Sequence, residues 1–276
     1  MRLLNGADVA SYIVERQAKQ VRALRQAHHI IPRLAIILNN DDLASEKYVN
    51  LKKHYGEDVL IEVIIEKVAT VDEVLTVIDR HNADPLTHGI IVQVPIADEG
   101  RTDEVLQRVA PEKDVDGLGS HEFFDPATPT AILWLLASYN VEPRGKKVVV
   151  IGGTGRLVGA PLVRMLQSTG VKAVVAGRDS ALGEVCADAD IIITAAGVPG
   201  LLTSEFIPQK AVVVDAGTTS EGGVLKGDVA DEVYQTRDDL SITPKRGGVG
   251  PLTVVALFDA VIQAARRVAS QQKDAA

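Results

Sequence analysis

The chain is poor in sulfur and in rings: it has one cysteine, Cys186, and aromatic residues make up 4% of its 276 positions. A single cysteine excludes an intrachain disulfide and a cysteine-based zinc cage, and it fits a reducing, cytoplasmic setting. Positive charge is not in excess. Lys and Arg number 29 against 37 Asp and Glu, a net charge of −8, which argues against a broad basic surface for nucleic acid but leaves room for a local anion pocket. No apolar run is expected to reach the length of a membrane helix. The opening Met1-Arg2-Leu3-Leu4-Asn5-Gly6 breaks before an apolar run of the signal-peptide kind develops. The six histidines include no H-x-x-x-H pair, and His121-Glu122 lacks the second His of a zincin, so no metal site is expected. Long linkers, internal repeats and low-complexity segments are missing too.

What is present is a regular alternation. Hydrophobic residues at 46% and charged residues at 24% describe a globular chain, long enough for one large or two ordinary domains. Val9, Ala10, Ile13, Val14, Val21 and Leu24 recur at helical spacing, and the apolar run 34–38 comes after them. A helix over 43–55, a strand over 59–65, a helix over 71–81 and a strand over 89–94 come next. The second half reads as a helix over 131–139, strands at 148–151, 173–176, 191–194 and 212–215, a helix over 158–169 and a closing helix over 256–269. Strands that are apolar on both faces are buried parallel strands, and β and α units in alternation build parallel sheets. A boundary is expected near 120–140.

Five segments carry candidate chemistry. Gly153-Thr154-Gly155-Arg156-Leu157-Val158-Gly159 leaves a strand and opens a helix. Glycines there let the chain turn sharply and bring a diphosphate to backbone N–H groups, although a tight strand-to-helix turn has the same spacing. After the next strand, Arg178-Asp179 offers both the cation that accommodates a 2′-phosphate and the acid that selects ribose hydroxyls; Arg178 favours NADP, with NAD possible. Ser45, Tyr48 and Lys52 share one helix face. A lysine there suits proton transfer if burial detunes it, while an exposed amphipathic face would show the same pattern. Gln93 interrupts an apolar strand at its carboxyl end, where open α/β sheets bind ligands. Pro111-Glu112-Lys113-Asp114-Val115-Asp116-Gly117 sets two carboxylates beside a glycine, and an acid there can grip two N–H donors of a 2-aminopyrimidine-like edge. Finally, Gly247, Gly248 and Gly250 lie framed between Pro244 and Pro251.

Together these segments resemble the bifunctional methylenetetrahydrofolate dehydrogenase/methenyltetrahydrofolate cyclohydrolase family. The resemblance rests on Tyr48-Val49-Asn50-Leu51-Lys52, Gly89-Ile90-Ile91-Val92-Gln93-Val94-Pro95, segment 111–117, Pro126-Ala127-Thr128-Pro129, turn 153–161 and Gly247-Gly248-Val249-Gly250-Pro251, in the family's order. It implies an α/β, two-domain enzyme: an N-terminal αβ folate-chemistry domain over 1–120 plus 252–276, and a Rossmann-type parallel-sheet dinucleotide-binding domain over 121–251. It further implies oxidation of 5,10-methylenetetrahydrofolate with NADP or NAD, hydrolysis of the methenyl product to 10-formyltetrahydrofolate, and a cytoplasmic homodimer whose partners are tetrahydrofolate derivatives. By position, Lys52 resembles the family's catalytic lysine, Tyr48 its stacking and hydrogen-bonding tyrosine, Gln93 the glutamine paired with that lysine, and Asp116 the acid that anchors the pterin. Val92, Val94, Gly247, Gly248, Val249, Gly250 and Pro251 fall where the family binds folate. Gly153, Thr154, Gly155, Arg156, Arg178 and Thr218 fall where it holds the cofactor.

The sequence also departs from the family. The usual G-R-S of the phosphate turn is Gly153-Thr154-Gly155, and the His-Ser after the next strand is Gly177-Arg178. A customary P-V-P is Pro244-Lys245-Arg246, whose two cations are expected to attract the glutamate tail of folate or a cofactor phosphate. A lysine common two places after the catalytic one is His54. Three other readings share parts of the pattern: a dehydrogenase lacking the hydrolytic step, a binding module without turnover, and a shikimate-dehydrogenase-like enzyme.

Overall fold

The computed structural model describes residues 1–119, 123–221 and 224–274, so His121-Glu122 lies outside the described residues. In chain order the elements are β1 (Arg2–Leu3), α1 (Gly6–His28), β2 (Arg33–Leu38), α2 (Leu43–Asp58), β3 (Glu62–Lys67), α3 (Val71–Ala83), β4 (Gly89–Gln93), α4 (Thr102–Arg108), α5 (Ala127–Ser138), β5 (Val148–Ile151), α6 (Gly159–Ser168), β6 (Val174–Ala176), α7 (Leu182–Cys186), β7 (Ile191–Thr194), β8 (Val212–Asp215), β9 (Thr219–Glu221), β10 (Val224–Lys226), α8 (Val233–Thr236), β11 (Ser241–Ile242) and α9 (Val249–Asp274). They form two compact units: Met1–Ala10 with Thr128–Thr253, and Ser11–Ala127 with Val254–Ala276.

The unit containing residues 11–127 is built on a parallel sheet of order β3-β2-β4. Its central strand is buried on both faces: Leu34, Ala35, Ile36, Ile37 and Leu38 are each at most 2% exposed. That is why the segment reads as an unbroken apolar run. Val71, Val74, Val77 and Ile78 of α3 pack on Ile37, Ile90 and Val92 of the sheet. A reciprocal capping box starts α3, with Thr70 and Glu73 each accepting from the other's backbone N–H. The strand expected over 59–65 begins later, at Glu62. Residues 59–61 instead close α2: Leu60 takes φ +65°, and the Val59 and Ile61 N–H groups return to Tyr55 and Gly56 carbonyls.

Contrary to the expectation from the sequence, one stretch does reach membrane-spanning length and apolarity. It is Val249–Lys273 in α9, and 67% of its apolar 18-residue window is buried in the protein. Val255, Leu257, Phe258, Val261, Ile262 and Ala265 are each at most 2% exposed, as expected of a core helix that is apolar almost all round.

The other unit is a six-stranded parallel sheet of order β1-β11-β8-β7-β5-β6, with an antiparallel pair β9–β10. The first ten residues belong to it, because Arg2 and Leu3 pair with Ser241 and Ile242. A two-residue strand has no periodicity to read, and the resemblance assigns these residues to the folate-chemistry domain over 1–120 instead. Strands β6 and β7 flank β5 on opposite sides, which makes the carboxyl end of β5 the point where the sheet's winding reverses.

Within the three-stranded unit, α2 is tied to α1 and α9 by a buried polar link. The Tyr55 hydroxyl donates to Gln17 Oε1 at 2.6 Å, and Gln17 Nε2 donates to the Val255 carbonyl at 2.9 Å, with Gln17 fully buried. Tyr55→Phe keeps the ring against Phe258 but leaves Gln17 Oε1 without its donor. Urea denaturation is expected to show a loss of about 1–2 kcal/mol; unchanged stability would mean that water replaces the hydroxyl.

Candidate active site

Helix α2 carries the first candidates. Asp42 caps it, accepting from the Ser45 N–H at 2.9 Å and from the Ser45 hydroxyl at 3.1 Å. Ser45 is 3% exposed, so this member of the expected face is turned inward and spent on the Asp42 cap. Tyr48 and Lys52, one turn apart, are both half-buried. The Lys52 ammonium donates to Gln93 Oε1 at 3.0 Å. Gln93 stands opposite Leu38 at the end of β4, and its Nε2 donates to the Val94 carbonyl at 3.0 Å, so the amide presents its oxygen to the amine. Burial pulls the Lys52 amine below the ordinary lysine range, and the negative charge of Asp116 partly restores it. Asp116 shows the converse: burial raises it and Lys52 holds it down. Burial likewise raises the Tyr48 phenol, which keeps its proton at neutral pH. The structure thus brings an amine, an amide and an acid together, with a phenol on the same helix face as the amine. Val92 is 2% exposed within the core under α3, so only its backbone is available to a ligand; Val94 is half-buried beside it.

The residues around Asp116 divide the labour in a way that spacing alone does not reveal. Lys113 turns back to the end of α3 and donates to the carbonyls of His81, Asn82 and Asp84, each at 2.8 Å. Asp114, 4% exposed, accepts from Gly117 N–H at 3.1 Å and Gly119 N–H at 2.9 Å and so shapes the turn. Val115 is fully buried. Asp116 is left as the acid whose charge acts on Lys52. Asn39, which carries no motif in the sequence, is 2% exposed; it donates to the Val68 carbonyl and accepts from the Ala97 N–H, tying the carboxyl ends of the strands that carry the site. Its only sequence signal is a polar residue directly after an apolar strand.

In the six-stranded unit, β5 runs into the glycine turn. A Cβ at Gly159 would sit 2.0 Å from the Gly152 carbonyl oxygen, so only glycine lets α6 start this close to the strand end. Thr154, Gly155 and Arg156 are exposed; the N-cap Val158 makes no side-chain cap, and the Ala160 and Leu162 N–H groups are taken by the Gly155 and Val158 carbonyls at 2.9 Å. The close approach of helix and strand leaves the glycine turn open on its exposed side, where an anionic diphosphate could lie at a helix N-terminus. Arg178 is exposed at the end of β6, as is Thr218 after β8. The segment 247–251 is fixed within this unit: the Gly247 carbonyl accepts from Ala7 N–H at 2.9 Å, and Val249 begins α9. Gly248 and Val249 are buried, Gly250 is exposed, and Gly247 and Pro251 are half-buried. Lys245, one of the two cations expected at this loop, pairs with the exposed Asp231 at 2.7 Å and lies over the Tyr234 ring at 5.1 Å.

Two carboxylates at the ends of β8 and β10 have no motif to mark them in the sequence. Asp215 accepts from the backbone N–H groups of Gly217, Asp228 and Val229 at 3.0, 3.1 and 3.0 Å. Asp228, 1% exposed, accepts from the Thr194 hydroxyl at 2.6 Å and from Ala196 and Val198 N–H at 2.7 and 2.8 Å. Burial pushes Asp215 up to about 6 against these hydrogen bonds, with the charge of Asp228 adding to the rise.

Two family models match the chain. One, described as the tetrahydrofolate dehydrogenase/cyclohydrolase catalytic domain, covers residues 4–116; the other, the NAD(P)-binding domain of the same family, covers residues 126–269. The bifunctional protein FolD of Macrococcus caseolyticus is 35% identical over 280 residues, covering 96% of this chain and 98% of that protein. The bifunctional methylenetetrahydrofolate dehydrogenase/cyclohydrolase of Campylobacter jejuni superposes with a TM-score of 0.90 at 32% identity, over 97% of this chain and 99% of that one. The Trypanosoma brucei dehydrogenase-cyclohydrolase, solved with NADP cofactor and an inhibitor, gives a TM-score of 0.90 at 29% identity, over 96% of this chain and 97% of that one.

The raised Asp215 value has a measurable consequence. Its carboxyl holds a proton more tightly in the native than in the unfolded chain, so its stabilising contribution is complete below the ordinary carboxylate value and is lost as pH rises through about 6. Asp215→Asn does not titrate. Chemical denaturation should therefore show the stability of the parent, measured relative to this variant, falling by on the order of 2 kcal/mol between pH 4 and pH 7. A difference independent of pH would contradict the assignment.

Proposed function

The chain belongs to the tetrahydrofolate dehydrogenase/cyclohydrolase family, and from that membership we propose that Lys52, Gln93, Tyr48 and Asp116 are the groups through which it works. The protein oxidises 5,10-methylenetetrahydrofolate to the 5,10-methenyl form with NADP⁺ and hydrolyses that product to 10-formyltetrahydrofolate. The observation carrying the assignment is the 3.0 Å contact between the Lys52 amine and Gln93 Oε1, with Asp116 close enough to act on the same amine.

Oxidation leaves a positive charge spread over the N–C–N bridge of the folate. A fully charged ammonium beside it would oppose that charge; an amine whose pKa is lowered by burial does so less. Hydrolysis adds water to the methenyl carbon with loss of one proton; one carbon–nitrogen bond then breaks as that nitrogen takes a proton and the new hydroxyl gives one up to become the formyl carbonyl, so that one proton is released overall. Lys52 is the proton carrier for both transfers, with Gln93 holding the amine in line and the Tyr48 hydroxyl hydrogen-bonding the substrate from the same helix face. Asp116 grips the N–H donors of the pterin edge with charge-assisted hydrogen bonds. Val92 and Val94 contribute at the strand end beside Gln93, and Gly247, Gly248, Val249, Gly250 and Pro251 complete the substrate contacts.

NADP⁺ supplies, when bound, a two-electron acceptor for a carbon–hydrogen bond of the one-carbon bridge. The residues to hold it are Gly153, Thr154, Gly155 and Arg156 at the diphosphate, Arg178 at the 2′-phosphate and Thr218 beyond β8. A homodimer in the cytoplasm belongs to the same reading; light scattering checks the assembly.

Absorbance measured with methylenetetrahydrofolate and either NADP⁺ or NAD⁺ tests the whole reaction: reduced cofactor reports oxidation, and decay of the methenyl chromophore reports hydrolysis. Lys52→Met is expected to slow hydrolysis by roughly 10²-fold or more with unchanged affinity for NADP⁺; undiminished hydrolysis removes Lys52 from the mechanism. Arg178→Ala should raise the KM for NADP⁺ about tenfold and leave that for NAD⁺ alone, in line with one lost charge-assisted phosphate contact. An equal effect on both cofactors would place Arg178 away from the 2′-phosphate.

A further inference from the structure

The half-buried Asp215 and the buried Asp228 are given no part in the folate chemistry above, yet they stand at the strand ends across which the cofactor is placed. The phosphate turn leaves β5, and Arg178 comes after β6, so the adenosine half of a cofactor lies on the β6 side of the switch point. The nicotinamide half then extends across the carboxyl ends of β7 and β8. Both ends are held by these carboxylates. Asp228 takes all three of its donors from residues 194–198, the segment leaving β7: the Thr194 hydroxyl and the Ala196 and Val198 N–H groups. Asp215 ends β8 and draws in the Gly217, Asp228 and Val229 N–H groups.

The interlock is tight. A Cβ at Gly217 would lie 2.1 Å from the Asp228 carboxyl carbon, and one at Gly227 would lie 2.1 Å from Asp215 Oδ2. The connection continues to the third strand end, because the buried Thr243 hydroxyl accepts the Asp215 N–H at 2.9 Å, and Thr243 Cβ lies 3.2 Å from where a Gly248 Cβ would stand. On the other side, the Thr219 hydroxyl donates to the Gly197 carbonyl at 2.9 Å, joining the segments after β7 and β8 directly.

We propose that Asp228, seated on Asp215, is a positioning residue for the dehydrogenase step: it fixes the segments 194–198 and 215–219 in the one arrangement that receives the nicotinamide half of NADP⁺. This rests on the assignment of the chain as an NADP-dependent dehydrogenase. Asp228, 1% exposed, acts in this role through the backbone of Ala196 and Val198 and through its packing against Gly217 in the loop bearing Thr218. A carboxylate suits the role because all its partners are donors. An amide in its place would turn an NH₂ group toward one of those N–H groups and leave both unsatisfied.

The test uses the full chain. Calorimetric titration of Asp228→Asn with NADP⁺ alone is expected to show a dissociation constant raised at least tenfold, and Thr194→Val, which removes one donor and keeps the shape, one raised about threefold. Hydrolysis of added methenyltetrahydrofolate without cofactor should stay within twofold of the parent in both variants. NADP⁺ affinity within twofold of the parent overturns the proposal. So does a matching loss of NADP⁺ affinity and hydrolysis, which would mark a general structural role. If Asp228→Asn does not fold, Thr194→Val decides by the same criteria. A parent protein with no affinity for NADP⁺ would instead sink the cofactor assignment itself, and the positioning role with it.

Discussion

An amine drawn out of water can keep its charge only if something in the same surroundings compensates it. Lys52 sits at that balance: burial pulls its pKa down, Asp116 pulls it back, and Gln93 accepts one of its N–H groups without adding charge. Because amine and acid act on each other, their protons are shared property of the pair. An amine so poised gives up its proton more readily than a lysine in water does.

The rest of that unit keeps these groups in register. Gln93 arrives at the end of a strand whose neighbours are tied at their own ends by Asn39. Asp116 arrives on a turn that Asp114 shapes from inside and that Lys113 moors to the last carbonyls of α3. Lys52 arrives on a helix capped by Asp42 and linked through Tyr55 and Gln17 to α1 and α9. In each case a polar side chain satisfies backbone groups that the fold would otherwise bury unpaired. The same bonds fix the position of a reactive group.

The six-stranded unit applies a similar device with anions. Parallel strands all end at one level, and their outgoing segments have N–H groups that no neighbouring strand can take. Asp215 and Asp228 gather those donors, and the cost appears as the raised Asp215 value. Glycines at 217 and 227 are needed for the carboxylates to approach so closely.

Much of this was legible in the residues. The double-sided apolar runs dictated buried parallel strands, the glycines after 148–151 dictated a sharp strand-to-helix turn, and the four-residue step from Tyr48 to Lys52 put both on one helix face. Those features are local, and periodicity and turn chemistry report them directly. Whether Lys52 meets Gln93, 41 positions away, or Asp116, 64 away, is a matter of where strands and turns come to rest, and only the packed unit decided it. The same holds for the division of roles between Asp114 and Asp116, which look alike in sequence, for β1, too short to leave a pattern, and for the Asp215–Asp228 pair. A carboxylate in a sequence has a type and a place; its partners, and hence its pKa and its use, are fixed by burial and by the donors that the fold turns toward it.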